Sequence, residues 1–266
     1  MRQDMVRIEW YESIFKRSSR RSYYSTPIAL EKFEALVARA QELSGDGLRI
    51  ELVLMEDGGL FKGLVGGYGK IQGMPAYIAF VGDQRDPHVS TKVGYYGEGM
   101  ILEATGLGLD TCWVYATFDR TQVNQQLALA EHERVIAVSP IGLSTAGYGS
   151  TDRIFKFLSQ SKKRRSLNDL VDGAAIYELP DWIVGGLTAV QVAPSAANGQ
   201  PWKFRISPDS VALYRQLGLV HRIVSPEIDF GIAMLHFELG AMERGRSGKW
   251  KLLAGPDVAN FVVDPR

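Results

Sequence analysis

The residues of this chain best suited to chemistry are amides and guanidines rather than nucleophiles. In the uncharged run Ala193-Pro194-Ser195-Ala196-Ala197-Asn198-Gly199-Gln200-Pro201-Trp202, rigid, small and amide residues alternate. Pro194 and Pro201 each fix φ and remove a donor, so the segment between them is a shaped loop that leads into a strand. Asn198 and Gln200 each present a donor edge and an acceptor edge, which suits a flat heteroaromatic ring. The small Ser195, Ala196, Ala197 and Gly199 let backbone approach such a ring closely. On these residues alone, a turn capped by Asn198 with Trp202 as a core aromatic is the simpler reading. A second candidate is Lys16-Arg17-Ser18-Ser19-Arg20-Arg21-Ser22, four cations and three hydroxyls in seven residues. A guanidinium fork beside a hydroxyl suits a phosphate monoester, although a solvated basic segment accounts for the charge alone. The basic run Lys162-Lys163-Arg164-Arg165-Ser166 offers the same two readings.

Thirty basic and thirty acidic residues cancel over 266 residues, so no global field draws the chain to nucleic acid or to an anionic membrane. Neither partner is expected, and any anion must be held locally. The single cysteine, Cys112, excludes an intrachain disulfide and a cysteine-rich metal site, and it fits a reducing cytoplasmic setting. His88, His132 and His221 have no metal-ligand spacing, and His236 is expected to be packed or at a rim. No apolar core of signal-peptide length lies before Ser19. The apolar stretch 182–202 is interrupted by Gly185, Gly186, Pro194, Asn198 and Gln200, too polar for a span. The glycine-rich stretch 58–73 lacks the Gly-Lys-Ser/Thr end of a phosphate-binding loop and could instead gate access to a ring.

Several elements must position these residues. Thr26-Pro27 reads as the start of a helix ending near Leu43, followed by strands at 48–55 and 76–81. A helix over 91–105 contains Gly94, Gly97 and Gly99; each glycine costs roughly 1 kcal/mol relative to alanine, which implies another backbone packed close by. A helix over 118–129, a strand at 135–139, a helix from Pro180 and a strand at 203–207 follow. The last helix runs over 226–242, with Ser225-Pro226 as its cap and Ile228, Ile232, Leu235, Leu239 and Met242 on one face.

Self-comparison gives the organisation. Tyr96-Gly97-Glu98-Gly99-Met100, with Gly106, recurs as Phe230-Gly231-Ile232-Ala233-Met234, with Gly240, at an offset of 134. Arg20-Arg21-Ser22 recurs as Arg164-Arg165-Ser166. Two half-units are expected, residues 1–160 and the shorter 161–266. The first keeps the basic opening but has Leu43-Ser44-Gly45-Asp46-Gly47-Leu48 where the counterpart of the 194–202 loop should stand; the second keeps the loop.

That loop resembles the Pro-Ser-x-x-Asn-x-Gln-Pro-Trp motif of the FMN-dependent nitroreductase superfamily, matching it at Pro194, Ser195, Asn198, Gln200, Pro201 and Trp202. Arg20-Arg21-Ser22 resembles the family's Arg-Arg-Ser-x-Arg opening, with Tyr24 where Arg or Lys is usual. Gly106-Leu107-Gly108, followed by Trp113, resembles its Gly-Leu-Gly-x-x-x-Trp element. From near Phe15 to the C-terminus the chain is similar to the subgroup in which two half-units are fused.

The resemblance implies an α+β, nitroreductase-like fold of two pseudo-symmetric half-units, each a mostly antiparallel sheet flanked by helices. It implies FMN held by Arg20, Arg21 and Ser22 at the phosphate and by Tyr24 near the N1/C2 edge. Tyr115 and Ala116 would lie near N5, Lys163 and Arg165 would return to the phosphate, and Pro194, Ser195, Asn198 and Gln200 would lie against the flavin. The implied activity is hydride transfer from NADH or NADPH through flavin N5 to a nitroaromatic, quinone or similar flat acceptor, with no catalytic side chain. A monomer would suffice for one flavin site, and Asp46 would keep the mirror-related site, with Arg164-Arg165-Ser166, empty. A dehalogenase or flavin-fragmenting enzyme of the same fold, or a non-catalytic flavin-binding protein, are the alternatives.

Overall fold

The computed structural model describes residues 1–55, 71–115, 118–145, 163–207, 210–218 and 225–264, which form two sheets meeting through a pair of buried helices. The first sheet contains β1 (Leu48–Leu54), β2 (Ala76–Asp83), β3 (Asp110–Thr111) and β4 (Glu133–Gly142), in the order β1-β2-β4-β3, all antiparallel. The second contains β5 (Val171–Asp172), β6 (Trp202–Ser207), β7 (Ser210–Arg215), β8 (Gly248–Leu252) and β9 (Asp257–Val263), in the order β5-β6-β7-β9-β8. Without β5, which joins β6 in parallel, the second sheet repeats the order of the first: β6, β7, β8 and β9 stand where β1, β2, β3 and β4 do.

The strands carry the alternation their position requires. Along β2, Ala76, Ile78 and Phe80 face the main core while Tyr77, Ala79 and Val81 face a second cluster with Val114, Val123 and Val138. Both faces are covered, so the strand reads as continuously apolar. In the second half, Phe237 stacks on Phe204 at 5.4 Å and meets Trp250 and Phe261 edge-on at 5.7 and 5.5 Å, close to the preferred geometry of aromatic pairs. Trp202 is fully buried, as its core reading requires.

The helices are α1 (Trp10–Lys16), α2 (Leu30–Leu43), α3 (Val89–Gly106), α4 (Arg120–Gln126), the single turn α5 (Leu167–Leu170), α6 (Asp181–Gln191) and α7 (Glu227–Glu243). Helices α3 and α7 pack backbone to backbone, and their contact is reciprocal. A Cβ on Gly94 would lie 2.0 Å from Ile228 O, and one on Gly231 would lie 2.0 Å from Thr91 O. Gly94 and Gly231 therefore sit where only hydrogen fits, whereas Gly97 and Gly99 face the side chains of Trp113, Phe80 and Trp10 rather than a second backbone. The reciprocity also corrects the repeat register: 231 − 94 and 228 − 91 both give 137 rather than 134.

Two local expectations differ from the structure. Helix α2 begins at Leu30 rather than after Thr26, and α7 has no side-chain cap, Pro226 standing at the cap position. Helix α4 is instead entered through Asp119, whose Oδ1 accepts from the backbone N–H of Thr121 and Gln122 at 3.0 and 3.1 Å. His236 is fully buried, which is the packed alternative of its sequence reading. Ala116, Lys162, His221 and the glycine-rich residues up to 70 lie outside the described residues. Among the described residues no helix is long and apolar enough to cross a membrane, and no cluster of His, Cys, Asp and Glu could hold a metal.

Candidate functional site

The chain leaving α1 runs along the first sheet. Ser19 pairs with Thr111 and Ser22 with Gln72, and the Arg20 N–H donates to Thr111 O at 3.0 Å. Tyr23 turns into the core and its hydroxyl donates to Arg20 O. The Arg20 guanidinium donates from Nε to Ser144 Oγ at 2.9 Å and from a terminal nitrogen to Thr145 O at 2.7 Å. Arg20 thus ties this segment to the end of β4. Arg21 and Ser22 are buried beside it. Tyr24 is 48 % exposed, and its N–H donates to Leu143 O at 2.9 Å.

The loop after α6 is held in an uncommon conformation. Ala197, Asn198 and Gln200 have φ of 46°, 58° and 44°, left-handed values that cost each L-residue about 1–2 kcal/mol. Ser195 Oγ accepts from the Gln200 N–H at 2.9 Å. Asn198 Nδ2 donates to Lys163 O at 2.8 Å, Gln200 Nε2 donates to the same carbonyl at 3.2 Å, and Gln200 Oε1 accepts from the Arg165 N–H at 3.1 Å. Both amides are therefore engaged by residues 163–165, whereas their side-chain chemistry alone suggested donor and acceptor edges aimed at a ring. Pro194 and Ser195 are half-buried at the entry to the loop.

Within 163–165 the guanidinium at the loop is that of Arg164. It donates to Asn198 Oδ1 at 2.9 Å and to the carbonyls Ala193 O and Val192 O at 3.0 and 3.4 Å. Lys163 contributes its carbonyl, and the Arg165 side chain points to Trp202 O and the Gln216 side chain. Burial first, and then the neighbouring positive charge of Arg17, lowers the Arg164 pKa to about 10. Among the described residues Arg164 has no carboxylate within ion-pair distance.

Arg17 comes from the other half of the chain. Its side chain is 7 % exposed, and its Nε lies 3.8 Å from Glu98 Oε1. Glu98 in turn accepts from Trp113 Nε1 at 2.7 Å and faces His236 Nε2 at 3.1 Å. His236 Nδ1 lies 3.0 Å from Ala189 O, which can only accept, so Nδ1 carries a proton.

A similar guanidinium occurs at the related place in the first half. Arg2 donates to the carbonyls at the end of α2, Leu43 O at 2.7 Å and Ser44 O at 3.1 Å, as Arg164 does beyond α6. Arg2, however, meets a carboxylate, Asp46 Oδ2 at 3.4 Å, where Arg164 meets the amide of Asn198. Among the described residues a carboxylate answers Arg2 in the first half and none answers Arg164 in the second.

The remaining expected residue, Tyr115, reaches the loop through Asp229. Its hydroxyl donates to Asp229 Oδ1 at 2.7 Å, and the Ala196 N–H lies 3.1 Å from each Asp229 oxygen. The structure thus gathers Tyr115, Lys163, Arg165, Ser195, Asn198 and Gln200, and adds Arg17, Arg164 and Asp229. It places Arg20 at Ser144 and Thr145 and Tyr24 at Leu143.

The family profile described as "Putative TM nitroreductase" matches residues 9–241. The chain belongs to this nitroreductase family. No curated protein sequence is significantly similar to it. Among solved structures, it is similar to one described as a putative nitroreductase from Thermotoga maritima MSB8, with 20 % identity, 96 % of this chain and 94 % of that one covered, and a TM-score of 0.63. That likeness extends over both halves of this nitroreductase-family chain and establishes a shared fold. A protein described as an FMN-dependent nitroreductase from Clostridium difficile R20291 aligns at 18 % identity over 53 % of this chain and 92 % of its own, with a TM-score of 0.43.

Proposed function

We propose that this nitroreductase-family chain is an FMN-dependent oxidoreductase that takes hydride from NADH or NADPH and passes electrons to a flat acceptor such as a nitroaromatic or a quinone. The observation that carries this reading is Arg164, a largely buried guanidinium with no carboxylate partner among the described residues and a second guanidinium, Arg17, acting on it. A buried charge without a counter-ion is costly, and a guanidinium that feels a second positive charge suits a phosphate monoester that bears nearly two negative charges. The donor set therefore fits the phosphate of FMN. FMN itself supplies the redox chemistry when bound.

The chain's own residues bind and orient. Arg17 and Arg164 hold the anionic end, the second joined to the loop through Asn198. The backbone of residues 195–200 presents small side chains at which a ring can approach closely, and Tyr115 closes the side contributed by the first half. Because Asp46 neutralises Arg2 at the mirror-related place, one chain makes one site. Absorbance in the flavin bands of the purified chain, followed by anaerobic titration with NADH and NADPH, tests the reading. Bound FMN that bleaches with either nicotinamide supports it. Bound FMN that resists both favours a flavin-binding protein without turnover, and failure to take up added FMN defeats it.

A further inference from the structure

We infer that Asp229 is a positioning residue that fixes the 195–200 loop against Tyr115 and so sets the orientation of the ring bound there; this rests on the flavin reading above. Asp229 is fully buried on the first turn of α7. A buried carboxylate persists only where donors converge on it. Two of its donors come from opposite halves of the chain, the Tyr115 hydroxyl at 2.7 Å and the Ala196 N–H at 3.1 Å from each oxygen. The positive end of the α7 dipole favours the same charge.

What the carboxylate holds is strained. Ala196 opens the turn that contains Ala197 and Asn198 at φ of 46° and 58° and leads to Gln200 at 44°. Such a conformation persists only where its surroundings over-determine it. Here it is pinned on one side by Arg164 and Lys163 O acting on Asn198 and on the other by Asp229 acting on Ala196.

The other half supplies an internal comparison. In the register fixed by Gly94 and Gly231, the counterpart of Asp229 is Lys92. Lys92 also reaches the loop of its own half, its Nζ lying 3.1 Å from Asp46 O and 2.6 Å from Asp86 Oδ2. One helix position thus tethers both loops with opposite charge. Lys92 acts on the loop whose Asp46 already answers Arg2, and Asp229 acts on the loop beside the unanswered Arg164.

The test uses the full chain loaded with FMN. In Asp229→Asn an amide NH₂ replaces one of the two oxygens that lie 3.1 Å from the Ala196 N–H, so FMN affinity is expected to fall by about tenfold. The visible circular dichroism of the bound flavin should change, a readout that a loss of stability alone would not move. Hydrogen exchange of the ligand-free chain should accelerate by about tenfold or more at Ala196 and Asn198. Tyr115→Phe, which keeps the ring and removes one donor, should alter the flavin dichroism in the same sense should Asp229→Asn fail to fold. Lys92→Ala should leave both flavin readouts unchanged. Wild-type FMN affinity and dichroism in Asp229→Asn, or unchanged dichroism in Tyr115→Phe, would overturn the assignment. A wild-type chain that binds no FMN overturns the flavin reading and this assignment with it, while accelerated exchange at Ala196 would still establish the tether itself.

Discussion

Arg164 donates to the side-chain oxygen of Asn198 at 2.9 Å, whereas Arg2, which covers the carbonyl end of the related helix, faces the carboxylate of Asp46 at 3.4 Å. Two parts of the chain built on the same sheet order thus differ, among the described residues, in what faces the guanidinium at the related loop. An amide leaves a guanidinium's charge for a ligand, and a carboxylate cancels it.

Arg164→Ala should weaken FMN by about ten- to a hundredfold while changing riboflavin affinity far less, because the lost interaction is a charge-assisted one to phosphate. Arg20→Ala should act differently. Its guanidinium is committed to Ser144 and Thr145, so it should cost about 1–3 kcal/mol of stability with little preference between the flavins. Parallel titrations of both variants with FMN and riboflavin decide the matter. A phosphate-selective loss in Arg20→Ala alone would return the phosphate to Arg20.

Saturation is expected at one FMN per chain. Asp46→Ala, which removes the partner of Arg2, should leave affinity at the first site unchanged. Asn198→Ala should impair binding by loosening Arg164 and the loop together. Two equivalent flavins per wild-type chain, measured by equilibrium dialysis, would contradict the single-site arrangement.

The closeness of α3 and α7 makes Gly231→Ala severe. A methyl group there would stand 2.0 Å from Thr91 O and 2.5 Å from Tyr95 N, both backbone atoms that can move only if the helices part. A loss of about 3 kcal/mol or more is expected in urea unfolding. At Gly106 the nearest atom is Ser13 Oγ at 3.5 Å, so Gly106→Ala should change stability by about 1 kcal/mol or less. Comparable losses in the two variants would contradict the packing described.

Burial pushes the Glu238 carboxyl up from 4.5 to about 7, and the hydrogen bond from Tyr95 only partly opposes it. A carboxyl with a raised folded value binds more protons folded than unfolded. Its stabilising effect is therefore complete below the unfolded value and is lost as pH rises through about 7. The expected loss between acid and alkaline pH is on the order of 3 kcal/mol. Glu238→Gln should flatten this dependence and melt above wild type at pH of about 8. Thermal unfolding across that range checks it, and an unchanged slope in the variant would remove Glu238 as its source.

The sequence by itself determined the identity and order of the parts. Turn chemistry at Pro194 and Pro201 marked the loop, and among the glycines in a helical pattern Gly94 announced a close backbone neighbour. These signals are local, set by φ restriction, side-chain volume and periodicity. The pairing of guanidiniums was decided only by tertiary structure. Arg17, Arg20 and Arg21 are alike in type and adjacent in the chain, and the strand-like pairing of Ser19 and Ser22 with different neighbours decides where each side chain goes. Asp229 and Glu98 were illegible for a related reason. A carboxylate among helical apolar residues carries no mark of the donors it will meet, and those partners, Tyr115 and Ala196 for one, Trp113 and His236 for the other, come from segments that only tertiary packing brings together.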